Sequence, residues 1–221
     1  MKELIKENKL NFSKKNLQEL PAELYTFVDL IELDLCKNQL PLIPPEIGNL
    51  TNLIKLNFSY NVLKSLTSEI RCLINIEELN VSHNNISNIP KKIGKLTKLK
   101  SLNVSFNRLV NIPLQIKYLY KLTYLNLNKN KIKIIHKNIG YLISLNTLLL
   151  NNNKLENLQI EICDLINLKE LDLSFNNIKR LPNVISKLIN LEKLNLIKNP
   201  IDKREQIRLQ SLLPNCDIIF K

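Results

Sequence analysis

Residues 99–121 read LKSLNVSFNRLVNIPLQIKYLYK. The 23 residues on either side, 76–98 (IEELNVSHNNISNIPKKIGKLTK) and 122–144 (LTYLNLNKNKIKIIHKNIGYLIS), follow the same pattern. Asn107 is the fixed point. From it, asparagine recurs every 23 residues in both directions, at Asn38, Asn61, Asn84, Asn130, Asn153, Asn176 and Asn199. Five residues before each one stands a leucine, from Leu33 to Leu194, and three before stands Leu, Phe or Val, as in Phe58, Val81 and Val104. Further apolar columns run through Ile43–Leu181, Ile47–Ile185 and Leu50–Leu188 at the same interval. A fixed period of this length marks a stack of identical structural units.

The unit is L-x-x-L-x-L-x-x-N-x-L-x-x-I-P-x-x-I-x-x-L-x-x, and it holds two periodicities. The L-x-L part alternates, which predicts a strand with one buried face. The I-P-x-x-I-x-x-L part spaces apolar residues by three or four, which suits a short helix or 3₁₀ turn. Proline opens that part at 21, 44, 90, 113 and 182, ending the extended run and setting φ for the turn. All three glycines (48, 94 and 140) follow the isoleucine of the turn. About seven core side chains per unit, at ~2 kcal/mol each, cannot offset the ordering of 23 residues. Single units therefore fold only by stacking on neighbours. The ladder asparagine has an amide that donates and accepts at once, so it can satisfy backbone groups left open where the chain leaves the strand.

This unit resembles the leucine-rich repeat family in its 23-residue intracellular type, as in Ras-group scaffolds and many bacterial leucine-rich repeat proteins. The resemblance covers roughly residues 10–220. It implies an α/β solenoid, or horseshoe, with a parallel sheet on the concave face and short helices or 3₁₀ turns on the convex face. It also implies a protein-binding scaffold or regulatory module in signal transduction. We expect a single domain over 1–221, with a degenerate N-terminal repeat or cap at 1–29, about eight repeats over 30–199 and a C-terminal cap over 200–221. Lys15 takes the asparagine slot of the first unit. Asp202 can cap a helix over about 203–213 that Pro214 stops, followed by an extended piece at Ile218 and Phe220.

Little in the chain suggests catalysis. His83 and His136 lie in different repeats without a nucleophile or ligand partner at working spacing, and the phosphate-loop and metalloprotease motifs are missing. We expect no catalytic residues, metal site or cofactor. The four cysteines (36, 72, 163 and 216) match no metal spacing and read as free apolar fillers. With no signal-type apolar segment and no membrane span, the expected location is cytoplasmic.

Charge is distributed unevenly. Residues 79–155 hold thirteen basic and no acidic residues, while the segments before and after nearly balance, so this stretch carries the net +12 of the chain. Lys91, Lys92, Lys95, Lys98, Lys117 and Lys121 of this basic band are assigned to the convex side. On the strand side, residues one, two and four before the asparagine and one after it are expected to point away from the core. Tyr60, His83 and Phe106 then make three consecutive ring-bearing repeats, with Tyr124 near the last and Arg108 and Lys129 alongside. These six are the candidate binding residues, since aromatics and Arg dominate protein interfaces. The expected partner of this monomer is another protein, with an acidic surface to match the band. The alternative is an anionic polymer (nucleic acid among them) or a membrane surface held by the band.

Overall fold

The structure, a computed structural model, describes residues 5–221. Its frame is one open sheet of eleven strands in chain order. These are β1 (Ile5–Lys6), β2 (Lys9–Asn11), β3 (Glu32–Asp34), β4 (Lys55–Asn57), β5 (Glu78–Asn80), β6 (Ser101–Asn103), β7 (Tyr124–Asn126), β8 (Thr147–Leu149), β9 (Glu170–Asp172), β10 (Lys193–Asn195) and β11 (Asp217–Ile219). β2 to β11 are parallel; β1 pairs antiparallel with β2 and closes the first edge. The register sets leucine on leucine, Leu79 against Leu102 and Leu102 against Leu125. A slip of one residue would turn that whole leucine row to solvent.

The opposite side of each repeat is a single 3₁₀ turn, for example Lys91–Lys95, Leu114–Tyr118 and Lys137–Tyr141. Pro90 and Pro113 stand just before their turns with φ near −65°. His136 fills the same slot at φ −64°, and its Nδ1 accepts the Asn138 amide at 3.2 Å. The chain is thus a horseshoe-like solenoid, strands on one face and 3₁₀ turns on the other. Leucines and isoleucines fill it, most of them under 2% exposed. Successive turns approach closely at the glycine slot. A Cβ on Gly94 would lie 2.7 Å from the Gln115 carbonyl oxygen, so side chains are excluded there.

The asparagine ladder stitches neighbouring repeats. Asn107 Nδ2 donates to the carbonyls of Val104 (3.1 Å) and Ser105 (3.1 Å) in its own repeat and of Val81 (3.0 Å) in the repeat before. Its Oδ1 accepts the Ile86 amide at 2.9 Å. Asn38, Asn61, Asn84, Asn130, Asn153, Asn176 and Asn199 repeat this geometry. Asn38 also accepts the Lys15 amide, so the repeat lacking its own asparagine is held by the next one.

The ends hold two further findings. Glu7 and Asn8, both at positive φ, turn the chain between β1 and β2, a hairpin the sequence reading did not contain. At the other end Asp202 caps helix α1 (Lys203–Leu212) by accepting the Glu205 amide at 2.7 Å, and β11 adds a last parallel strand. Glu205, 6% exposed, accepts the Leu181 amide at 3.0 Å and pairs with Arg208, which also donates to the Leu181 carbonyl. Burial alone would raise the Glu205 pKa. The Arg208 hydrogen bond, the Leu181 amide and the charges of Arg208 and Arg180 outweigh it and hold the carboxyl below its ordinary range.

Candidate functional site

Two columns of side chains floor the concave face. Six residues before each asparagine come Glu32, Lys55, Glu78, Ser101, Tyr124 and Thr147; two residues later come Asp34, Asn57, Asn80, Asn103, Asn126 and Leu149. Over β2 to β7 they line a groove of about 620 Å³. Four of its charges pair within the sheet, Lys9–Glu32 at 3.2 Å and Lys55–Glu78 at 2.8 Å, and the fifth, Asp34, accepts the Cys36 amide and Asn57 Nδ2. Toward the middle the floor becomes neutral at Ser101, Asn103, Tyr124 and Asn126. Asn80 and Asn103 use Oδ1 to accept the amides of Ser82 and Ser105, both at 3.1 Å. Their Nδ2 groups have no protein acceptor among the described residues, so they face the groove as free donors. Apart from Tyr124, none of these floor residues was among the sequence candidates, although the alternation of L-x-L carries the signal for them.

A ring stack runs along the rim of this groove. Tyr60 and His83 lie 3.9 Å apart between ring centroids and His83 and Phe106 also 3.9 Å, with interplanar angles of 9° and 18°. Lys37 Nζ sits 5.5 Å from the Tyr60 centroid and Lys129 Nζ 4.5 Å from that of Phe106. Five consecutive repeats therefore form one continuous column, a lysine at each end and three rings between. The backbone makes this possible. Every residue one before a ladder asparagine has φ between 49° and 57°, a left-handed conformation uncommon outside glycine and asparagine. It is held by interstrand bonds such as Tyr60 N–H to the Ser82 carbonyl and His83 N–H to that of Ser105. Burial, and after it the charge of Lys129, push the His83 pKa below its ordinary value.

The other expected positions separate. Tyr124 lies on the floor in register with Ser101 and Thr147, its hydroxyl accepting from Asn126 Nδ2 at 3.1 Å, in a different column from the stack. Arg108 is exposed and stands one residue after the ladder asparagine, outside the slot that carries the rings. In the column two before the asparagine, four serines do not face outward as expected, while Cys36, Asn128, Asn151 and Ile197 are half-buried. Ser59, Ser82, Ser105 and Ser174 are only 3–5% exposed, because the chain turns inward after a three-residue strand. Of the basic band, Lys91, Lys92, Lys95 and Lys117 sit on the 3₁₀ turns. Lys98 and Lys121 do not. They occupy the turn that leads into the strand, where Lys98 Nζ donates to Asn75 Oδ1 at 2.7 Å and lies beside Glu77. The leucine after the 3₁₀ turn already redirects the chain toward the sheet, which moves this slot off the convex face.

Among the described residues no three His, Cys, Asp or Glu side chains gather at metal-binding distance, and no helix is long and apolar enough to cross a membrane. The four cysteines are unpaired. Burial, followed by the Asp164 charge, pushes the Cys163 thiol up to about 11, so it behaves as an apolar filler.

A leucine-rich repeat family model matches the chain at residues 29–86, and a model of two leucine-rich repeat copies matches at 74–116 and at 166–211; together they span more than half of it. No curated protein matches. Among solved structures, a leucine-rich repeat protein of Leptospira interrogans is 24% identical over 96% of this chain and 95% of its own, with a TM-score of 0.59. The ectodomain of the plant receptor kinase GASSHO1/SCHENGEN3 from Arabidopsis thaliana was solved in complex with Casparian strip integrity factor 2. It is 33% identical over 82% of this chain and 23% of its own, with a TM-score of 0.74. The functional domain of InlJ from Listeria monocytogenes, which includes a cysteine ladder, is 21% identical over 96% of this chain and 43% of its own, with a TM-score of 0.80. The cysteines of the present chain fall in four different slots and form no such ladder.

Proposed function

The chain belongs to the leucine-rich repeat family, and from that premise we propose that it is a regulatory binding module that grips another protein on its concave sheet. The fold is generally a protein–protein interaction module, and the receptor ectodomain it resembles was solved with a bound partner. The observation that carries the reading is the rim stack of Tyr60, His83 and Phe106 beside a floor with free amide donors. Stacked and capped by lysines, the rings have already lost their rotamer freedom, so a partner gains contact area with little ordering cost.

In this proposal the chain acts as a cytoplasmic monomer in signal transduction. The free thiols support that compartment, since cysteines there remain reduced. The test begins with a partner captured by cross-linking and identified by mass spectrometry. Phe106→Ala with Tyr124→Ala should weaken its binding by about 2 kcal/mol or more, roughly thirtyfold in Kd. Lys91→Glu, Lys92→Glu and Lys95→Glu together should alter mainly the salt dependence. Abolition by the lysine set, with the aromatic pair silent, would remove the concave face from the reading.

A further inference from the structure

The flank between the 3₁₀ turns and the strands carries a second surface that owes nothing to the groove. The position after the leucine that closes each 3₁₀ turn is Tyr120, Ile143, Ile166 and Ile189 in four consecutive repeats, and these side chains are 50%, 55%, 50% and 79% exposed. Equivalent slots of adjacent repeats lie side by side in a solenoid, so the four form a continuous apolar stripe. Single exposed apolar side chains need no explanation, but a row in register does. Tyr118 and Tyr141, 50% and 62% exposed, stand two residues before the stripe.

Cations border this stripe at one end. Lys91, Lys92 and Lys95 share a depression of about 550 Å³ with Tyr118 and Tyr120. Lys117 Nζ lies 5.1 Å from the Tyr118 ring centroid and 5.9 Å from that of Tyr141. Of the thirteen basic residues between 79 and 155, only Lys100 has a carboxylate partner among the described residues. Glu161 and Asp164, next to Tyr141, mark where the cationic zone stops.

We propose that this flank docks on the surface of an anionic phospholipid bilayer. The residue types decide among anionic partners. A single-stranded nucleic acid needs several open ring faces for base stacking, and Lys117 lies over the rings of Tyr118 and Tyr141, which leaves Tyr120 alone of the three tyrosines without a cation over it. An acidic protein interface favours Arg over Lys, and no Arg lies in this patch. Lysines with apolar stems, tyrosines at the water boundary and an aliphatic row beside them match the layered polarity of a lipid interface. The aliphatic row enters the acyl boundary while the ammonium groups remain among the headgroups. None of the stripe or lysine residues lines the concave groove, so lipid and protein can be held at once.

Flotation of the full chain with vesicles tests this. Vesicles of phosphatidylcholine alone are compared with phosphatidylcholine and phosphatidylserine at roughly 2:1. The chain should float with the anionic vesicles only and release at high salt. Each lysine near such a surface contributes roughly fivefold, so Lys91→Glu, Lys92→Glu and Lys95→Glu together should lower the partition at least about a hundredfold. Tyr120→Ser with Ile143→Ser leaves the charge intact and should lower it at least about tenfold. All five substituted positions are exposed, and unchanged far-UV spectra verify the fold of each variant. Failure of the wild type to float overturns the proposal. So does wild-type partition of the Tyr120 and Ile143 variant, which would leave a surface that attracts any polyanion. Single-stranded RNA bound more tightly than the anionic vesicles, and lost in that same variant, would assign the flank to nucleic acid instead. The concave reading is tested separately, by loss of the captured protein partner in the Phe106 and Tyr124 variant, with vesicle flotation playing no part in it.

Discussion

Asn107→Leu removes the ladder contact at the middle of the solenoid, and the structure fixes what it should cost. Asn107 is 8% exposed and its side chain serves four backbone groups. They are not equally dependent on it. The Val81 carbonyl keeps the Asn84 amide at 3.0 Å and that of Val104 keeps Asn130 at 3.1 Å, so each retains one donor. The Ile86 N–H has no second acceptor. Stranding one buried donor costs about 2 kcal/mol, and the lost bonds to the carbonyls add about 1, giving about 3 kcal/mol. Half of the contacts cross to the preceding repeat, so the change weakens coupling between repeats as well as the repeat itself. Urea denaturation followed by far-UV circular dichroism should show the midpoint fall with a shallower transition. Lys131→Ser, exposed one slot beyond the next ladder residue, should stay within about 0.5 kcal/mol. Equal losses in the two variants, or a loss below about 1 kcal/mol for Asn107→Leu, would refute the ladder argument.

Two titrations follow from the pKa shifts. Glu205 is depressed in the fold, so its contribution is present above the unfolded carboxylate value of about 4.3 and is lost as pH falls through the folded value. Glu205→Gln should destabilise the C-terminal cap at neutral pH and flatten the acid limb of the stability profile; an unchanged acid limb contradicts the buried pair. His83 is also depressed, and for a base this means that the unfolded chain binds the proton first as pH drops through about 6.5. Stability should therefore decline on acidification across that range in the wild type and not in His83→Phe, with the histidine titration followed by NMR.

The sequence was most legible where a side chain repeats with its slot. Leu79, Leu102 and Leu125 alternate with polar neighbours, and only a parallel sheet in register buries all three. Asp202 and Pro214 bracketed α1 to within a residue of its observed end. The hairpin at Glu7–Asn8 was hidden because neither residue is a glycine and the positive φ values come from tertiary context. At the site, the rings of Tyr60, His83 and Phe106 could be counted in the sequence, but their 3.9 Å stacking depends on a left-handed backbone that no propensity announces. Ser82 and Ser105 were misassigned because the alternation rule was carried past the end of a three-residue strand. Lys98 and Lys121 were misplaced for a similar reason, the 3₁₀ turn ending before them.

Hydrogen–deuterium exchange of the chain with and without its captured protein partner tests the central claim most directly. The concave reading predicts that the partner slows exchange in the strand and rim segments of the middle repeats, residues 78–83, 101–106 and 124–129, and leaves the turns at Lys91–Lys95 and Leu114–Tyr118 unchanged. Protection confined to those turns, with the strand and rim segments exchanging as in the free chain, would contradict it.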